Sequence, residues 1–212
     1  MAQQEGEMKT TNKEKKSPLA YSLCLMAFLL FIGSTNTLAD DQKSVANVKD
    51  TEGKTYKVQS LHAKYRAGGS WLGRRPEETS SSLKIVFSMT KDRVETTEEV
   101  EFEFAKLRRI VLKNADIPAQ IKPTLNNSGR ENIRIERRDG TVILLGNLAM
   151  IEVDANGKQI KRTDFNSYSF KAGEIQGQYI TLDGFGGHSR TSDGKEGDFW
   201  ITEWETASIE FE

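Results

Sequence analysis

A hydrolase must hold a nucleophile beside a base. This chain offers few of either: two histidines, His62 and His188, one cysteine, Cys24, and no Gly-x-Ser-x-Gly elbow to expose a serine. His62 sits in Val58-Gln59-Ser60-Leu61-His62-Ala63-Lys64-Tyr65, alternating against Leu61, Ala63 and Tyr65, which predicts a strand with the imidazole toward solvent. His188 follows Gly184-Phe185-Gly186-Gly187. Such a segment lets backbone approach a ligand or lets a loop bend, and without a following Lys-Ser or Lys-Thr it is no phosphate loop. Zinc has no His-x-x-x-His or Cys-x-x-Cys pair to bind. Calcium is the one cofactor the carboxylates suggest, because Asp193, Glu196 and Asp198 cluster in Asp193-Gly194-Lys195-Glu196-Gly197-Asp198, although Lys195 intrudes and an acidic hairpin tip explains the same residues. The chain therefore reads as a non-enzyme, with a hydrolase as the second alternative.

Aromatic side chains are the better lead to a ligand. Trp71 and Phe185 lie in glycine-rich stretches that read as loops, where flat rings stack on sugar faces or grip a partner, and Arg74 and Arg75 beside Trp71 supply donors for hydroxyls or carboxylates. With His188 these residues form the candidate ligand site. The competing reading is that the rings fold back as plugs over the sheet. Trp200 and Trp204 fall in a closing strand, where at least one is expected in the core.

The elements that would position these groups are strands. Leu83, Ile85, Phe87 and Met89 alternate with less apolar positions, and Val100, Phe102 and Phe104 alternate with Glu99, Glu101 and Glu103, so one face lies in a core and the other in water. The glutamates between Glu95 and Glu103 are read as a solvated face that blocks aggregation. Turn pairs punctuate the runs: Glu52-Gly53, Lys91-Asp92, Asp139-Gly140, Asn156-Gly157 and Asp183-Gly184. The clearest hairpin joins residues 132–137 to 142–145. A single helical turn is expected at 105–109, a loop at 68–82, and a connector at 113–131 that holds Pro118 and Pro123. The Asn126-Asn127-Ser128 sequon is read as idle.

Residues 20–33 are an apolar run preceded by Lys13, Lys15 and Lys16 and followed by Thr37-Leu38-Ala39, which reads as a signal peptide cleaved before Asp40. As a membrane anchor the run is short, because about 14 residues rise only roughly 21 Å against a hydrocarbon core of roughly 30 Å. Cys24 lies inside it, so the exported chain would lack cysteine and depend on its core, as is common in a bacterial periplasm. Taking 39 residues from 212 leaves 173, with 26 basic and 28 acidic side chains once the leader's four lysines and three glutamates are removed. That balance gives no basic stripe for nucleic acid.

The expected organisation is a signal peptide at 1–39, a first β half at 40–112, the connector at 113–131 and a second β half at 132–212. The fold class is all-β, with two similar antiparallel halves that make either tandem small barrels or one β-sandwich. Strand, Asp-Gly turn, strand and a closing Ile-x-Phe resemble the small SH3-like or Sm-like barrels of bacterial envelope proteins, over Asn132 to Phe211 and more faintly Val45 to Leu112. The resemblance implies a binding or scaffolding role and names no ligand. The functional expectation is a periplasmic or secreted binding or scaffolding protein whose partner is an envelope protein or a glycan, touching membrane only through its leader. The first alternative is a carbohydrate-binding module.

Overall fold

A computed structural model describes residues 45–68, 75–121, 125, 132–175, 178–190 and 196–212. They all belong to one compact unit, Gln42–Glu212. The expected leader at 1–39, with Cys24, lies outside the described residues, as do the Asn126-Asn127-Ser128 sequon, Trp71, Arg74 and Asp193.

The chain is all-β, as its period of two demands. Its strands are β1 (Ala46–Asp50), β2 (Thr55–Ala67), β3 (Glu77–Ser80), β4 (Ser82–Lys91), β5 (Val94–Glu103), β6 (Leu107–Val111) and β7 (Ile133–Arg137), followed by β8 (Val142–Leu145), β9 (Ala149–Val153), β10 (Gln159–Asp164), β11 (Ser167–Ile175), β12 (Gln178–Arg190), β13 (Glu196–Thr202) and β14 (Thr206–Phe211). A 3-10 turn at Phe104–Lys106 overlaps the start of the helical turn expected at 105–109, whose remainder is strand β6, and among the described residues no helix is long and apolar enough to cross a membrane.

The two longest strands, β2 and β12, pair antiparallel at the centre, and each changes neighbours along its length. β2 pairs with β1 through residues 55–58 and with β3 through residues 63–66; β12 pairs with β11 through residues 178–181 and with β13 through residues 184–190. The full order is β10-β9-β8-β7-β6-β14-β1-β2-β12-β11-β4-β5, with β3 and β13 as side branches, and every pairing is antiparallel. This corrects the expectation of small barrels, for the sheet does not close. The barrel reading rested on local hairpins, whereas the decisive pairing joins residues as distant as Val58 and Ser189. Strands from either side of the connector interleave: β14 lies between β1 and β6, and β12 with β11 lies between β2 and β4.

The alternations place the core where the sequence put it. Leu83, Ile85, Phe87 and Phe102 are buried, while Glu99, Glu101 and Glu103 are in water. Tyr65 crosses this core, its hydroxyl donating to the Ser82 carbonyl at 3.2 Å and accepting the Lys84 N–H at 2.8 Å, so that β2 is tied to β4. Rings of Phe87, Phe165 and Tyr168 pack together where β10 turns into β11. A second cluster forms where Ile117, Ile121 and Leu125 of the connector cover Leu144, Ile151 and Val153.

The Asp139-Gly140 and Asn156-Gly157 hairpins form as expected, with both glycines at positive φ. Two punctuation readings fail. Glu77–Ser80 is strand β3, not loop, because Ala63–Arg66 of β2 has a free side for it. Asp183-Gly184 is no turn but the interior of β12, at a register shift against β2.

Candidate functional site

The glycine-rich stretch is the centre of β12, paired on both sides, and Phe185 within it is 0% exposed. Phe185 is thus a core ring and not a loop platform. Alternation explains this: Phe185 faces inward, and glycines 184 and 186 flank it on the outer face, where neighbouring chain comes too close for a side chain. A Cβ on Gly184 would stand 2.1 Å from the Ile201 carbonyl oxygen, and one on Gly186 would stand 2.6 Å from Nε2 of His62. His62 is accordingly half-buried over Gly186 rather than fully in water as expected, with Nδ1 at 3.2 Å from the Ser60 carbonyl.

His188 is exposed on β12, opposite Asp198 of β13, and its Nδ1 lies 3.3 Å from Asp198 Oδ1. This is the pair of sequence candidates that the fold unites. Ser189 is consecutive with His188 in a strand and so takes the opposite face, which keeps its hydroxyl from the imidazole. Glu196 and Asp198 are exposed on β13, and among the described residues no three His, Cys, Asp or Glu side chains are grouped to hold a metal. Arg75 is exposed just ahead of β3.

An open cleft of about 480 Å³ lies where β13 passes the β1–β2 and β13–β14 turns. It is lined by Asp50, Thr51, Glu52, Tyr56, Ser189, Asp198, Phe199, Trp200, Ile201 and Glu205. The sequence pointed to one of these residues, Asp198, and to loops for the rest. Trp200 is 43% exposed and Trp204 75%, which corrects the expectation that at least one is core. The signal was available in the parity of β13: Phe199 and Ile201 are buried together, so Trp200 between them must face out.

The cleft walls are ordered before any ligand arrives. Asp50 accepts the Lys54 N–H at 2.8 Å on one carboxylate oxygen and the Tyr56 hydroxyl at 3.2 Å on the other. The Tyr56 ring packs against Phe199, centroids 5.3 Å apart, with Lys54 Nζ 4.7 Å above it. Glu205 accepts from the Thr202 hydroxyl at 2.7 Å and its N–H at 3.2 Å, and these bonds hold the carboxyl below its ordinary range. The two turns are joined by Thr51 N–H donating to the Glu205 carbonyl at 2.8 Å. Lys64 Nζ lies 5.5 Å from the Trp200 ring centre. Trp200 faces away from Phe199, on which the Tyr56 ring packs, so the cleft offers one exposed stacking ring, Trp200, with fixed carboxylate acceptors along its walls that take hydrogen bonds from hydroxyls or amines.

No family model, no curated protein and no solved structure matches this chain.

Proposed function

We propose that this is a non-catalytic binding protein of the bacterial envelope, exported by the leader at 1–39, and that it contacts its ligand at the Tyr56–Trp200 cleft. The observation that carries the reading is the pairing of an outward tryptophan with pre-ordered carboxylates on strands and tight turns, a rigid support of the kind that binding sites need. Sugars fit best, since their C–H faces stack on rings and their hydroxyls donate to Asp50, Glu52, Asp198 and Glu205. The test is retention of the purified chain on peptidoglycan and on a panel of immobilised glycans. Binding is expected for at least one surface and should fall about tenfold or more in Trp200→Ala, the scale of a lost aromatic anchor. Retention unchanged in Trp200→Ala refutes the site, and no retention on any glycan refutes the ligand class. Export is tested by fractionation and N-terminal sequencing, with Asp40 expected as the first residue of the periplasmic form and an intact cytosolic chain as the contrary result.

A further inference from the structure

We infer that copies of this chain associate head to tail through the two end strands of the sheet, the acidic edge β5 of one copy receiving the basic edge β10 of the next. Among the described residues, β5 and β10 pair on one side only, with β4 and β9. Where they are free they are wet on both faces: residues 94–99 are all exposed, and so is every residue of β10 except Thr163. Open edges of this length present unpaired backbone donors and acceptors that template another strand. β11 supports β4 only along residues 85–88, so the outer part of the β4–β5 hairpin has two strands, a marginal arrangement that a third would complete.

Charge selects the occupant. β5 carries Glu95, Glu98, Glu99, Glu101 and Glu103 against one flanking cation, Arg93, whereas Lys161 and Arg162 of β10 with the flanking Lys158 outnumber Asp164. Pairing β5 with β5 sets glutamate against glutamate, and pairing β10 with β10 sets more cations than Asp164 can oppose; β5 with β10 opposes the most unlike charges. β10 has a register shift between Gln159 and Lys161, so the regular spacing that matches β5 is Lys161-Arg162 against Glu98-Glu99. Both strand directions oppose two unlike pairs there, Glu98 with Lys161 and Glu99 with Arg162 when parallel, and Glu98 with Arg162 and Glu99 with Lys161 when antiparallel. The pairs these cations now make are weak competitors, Arg162 to Asp164 at 2.7 Å being exposed and Lys161 to the half-buried Glu152 being long at 4.0 Å. Each edge also leaves a large aliphatic residue in water, Val94 and Ile160, each 60% exposed, and docking covers both. A charged edge that repels its own kind accepts its complement. Because the two surfaces differ, the contact is heterologous and propagates unless a ring closes.

Sedimentation velocity of the full chain, expressed with its own leader and purified, tests this. Association that grows with concentration is expected at low salt and should weaken about tenfold or more between about 0.01 M and about 1 M salt, as the Debye length falls from roughly 30 Å to roughly 3 Å. Reversing one edge (Glu95→Lys, Glu98→Lys, Glu99→Lys) or the other (Lys158→Glu, Lys161→Glu, Arg162→Glu) should each give monomers. An equimolar mixture of the two variants should associate again, since each supplies the charge the other needs. Should either reversal unfold the chain, Gln replacements at the same positions are expected to weaken association in the same direction. A wild-type monomer at near-millimolar concentration and low salt overturns the inference, as does association indifferent to the reversals or a mixture that stays monomeric.

Discussion

Gly184→Ala puts the reading of β12 at most risk. A methyl there stands 2.1 Å from the Ile201 carbonyl oxygen, 2.8 Å from Thr202 Cα and 3.0 Å from Ile201 C. All three are backbone atoms of β13, so relief requires the β12–β13 pair to part by about 1 Å, not a rotamer change. Overpacking of this kind costs roughly 1–3 kcal/mol, and backbone as the obstacle puts Gly184→Ala near the top, at about 3 kcal/mol. For a domain of this size that is a fall in melting temperature of roughly 6–12 °C, read by circular dichroism. Two companions calibrate it. Gly197→Ala on β13 meets no heavy atom within 4 Å and should be neutral or stabilising by up to about 1 kcal/mol, through loss of unfolded-state entropy. Gly186→Ala meets the His62 ring, which can swing away, so it should cost about 1 kcal/mol and cost little once His62 is alanine. A Gly184→Ala melting temperature within about 2 °C of wild type, or a Gly186→Ala cost that ignores His62, refutes the close approach argued for this strand.

Tyr65→Phe removes a fully buried hydroxyl and orphans the Ser82 carbonyl and the Lys84 N–H, so urea unfolding should show a loss of about 1–3 kcal/mol with an unchanged m-value. Burial raises this phenol well above its ordinary 10.0, so its contribution is complete below pH 10.0 and declines above it. An ultraviolet titration should therefore leave Tyr65 un-ionised until the chain unfolds, and its normal ionisation in folded protein contradicts the core placement. Glu77, Glu205 and Glu212 are held below their ordinary 4.5, by hydrogen bonds from the Lys64 side chain, from Thr202 and from the Lys57 side chain respectively. Their lowered values make stability present above pH 4.5 and lost as pH falls below it, when the unfolded chain takes up protons first. The urea midpoint should decline through that range, and a flat midpoint contradicts the assigned pairs.

What the residues disclosed follows the range of the forces involved. Alternation is local, so Leu83, Ile85, Phe87 and Phe102 could be assigned to a core from neighbours alone, and Asp139-Gly140 and Asn156-Gly157 announced hairpins because positive φ is a property of one residue. Sheet order is not local: nothing within residues 55–67 names residues 178–190 as the partner of β2. Glycine misled for a related reason. In Gly184-Phe185-Gly186-Gly187 it marks close approach of β2 and β13, which composition cannot distinguish from the bend of a loop, and Phe185 was displaced with it from core to surface. Trp200 is legible by strand parity, since Phe199 and Ile201 on either side of it are buried.

The cleft follows from the same long-range pairing. β12 leaves β11 after residue 181 and takes β13 from residue 184, and β13 has no second neighbour among the described residues. A strand with one partner keeps its outward ring exposed and its side open to the β1–β2 turn, so Trp200, Tyr56 and Glu205 converge where pairing stops. Had β13 been covered, that space would be filled by ladder and core. β5 and β10 end the sheet order away from this branch, and none of the charges proposed to join copies lines the cleft. Reversal of the edge charges should therefore leave glycan retention of the monomer unchanged, and Trp200→Ala should leave the sedimentation profile unchanged.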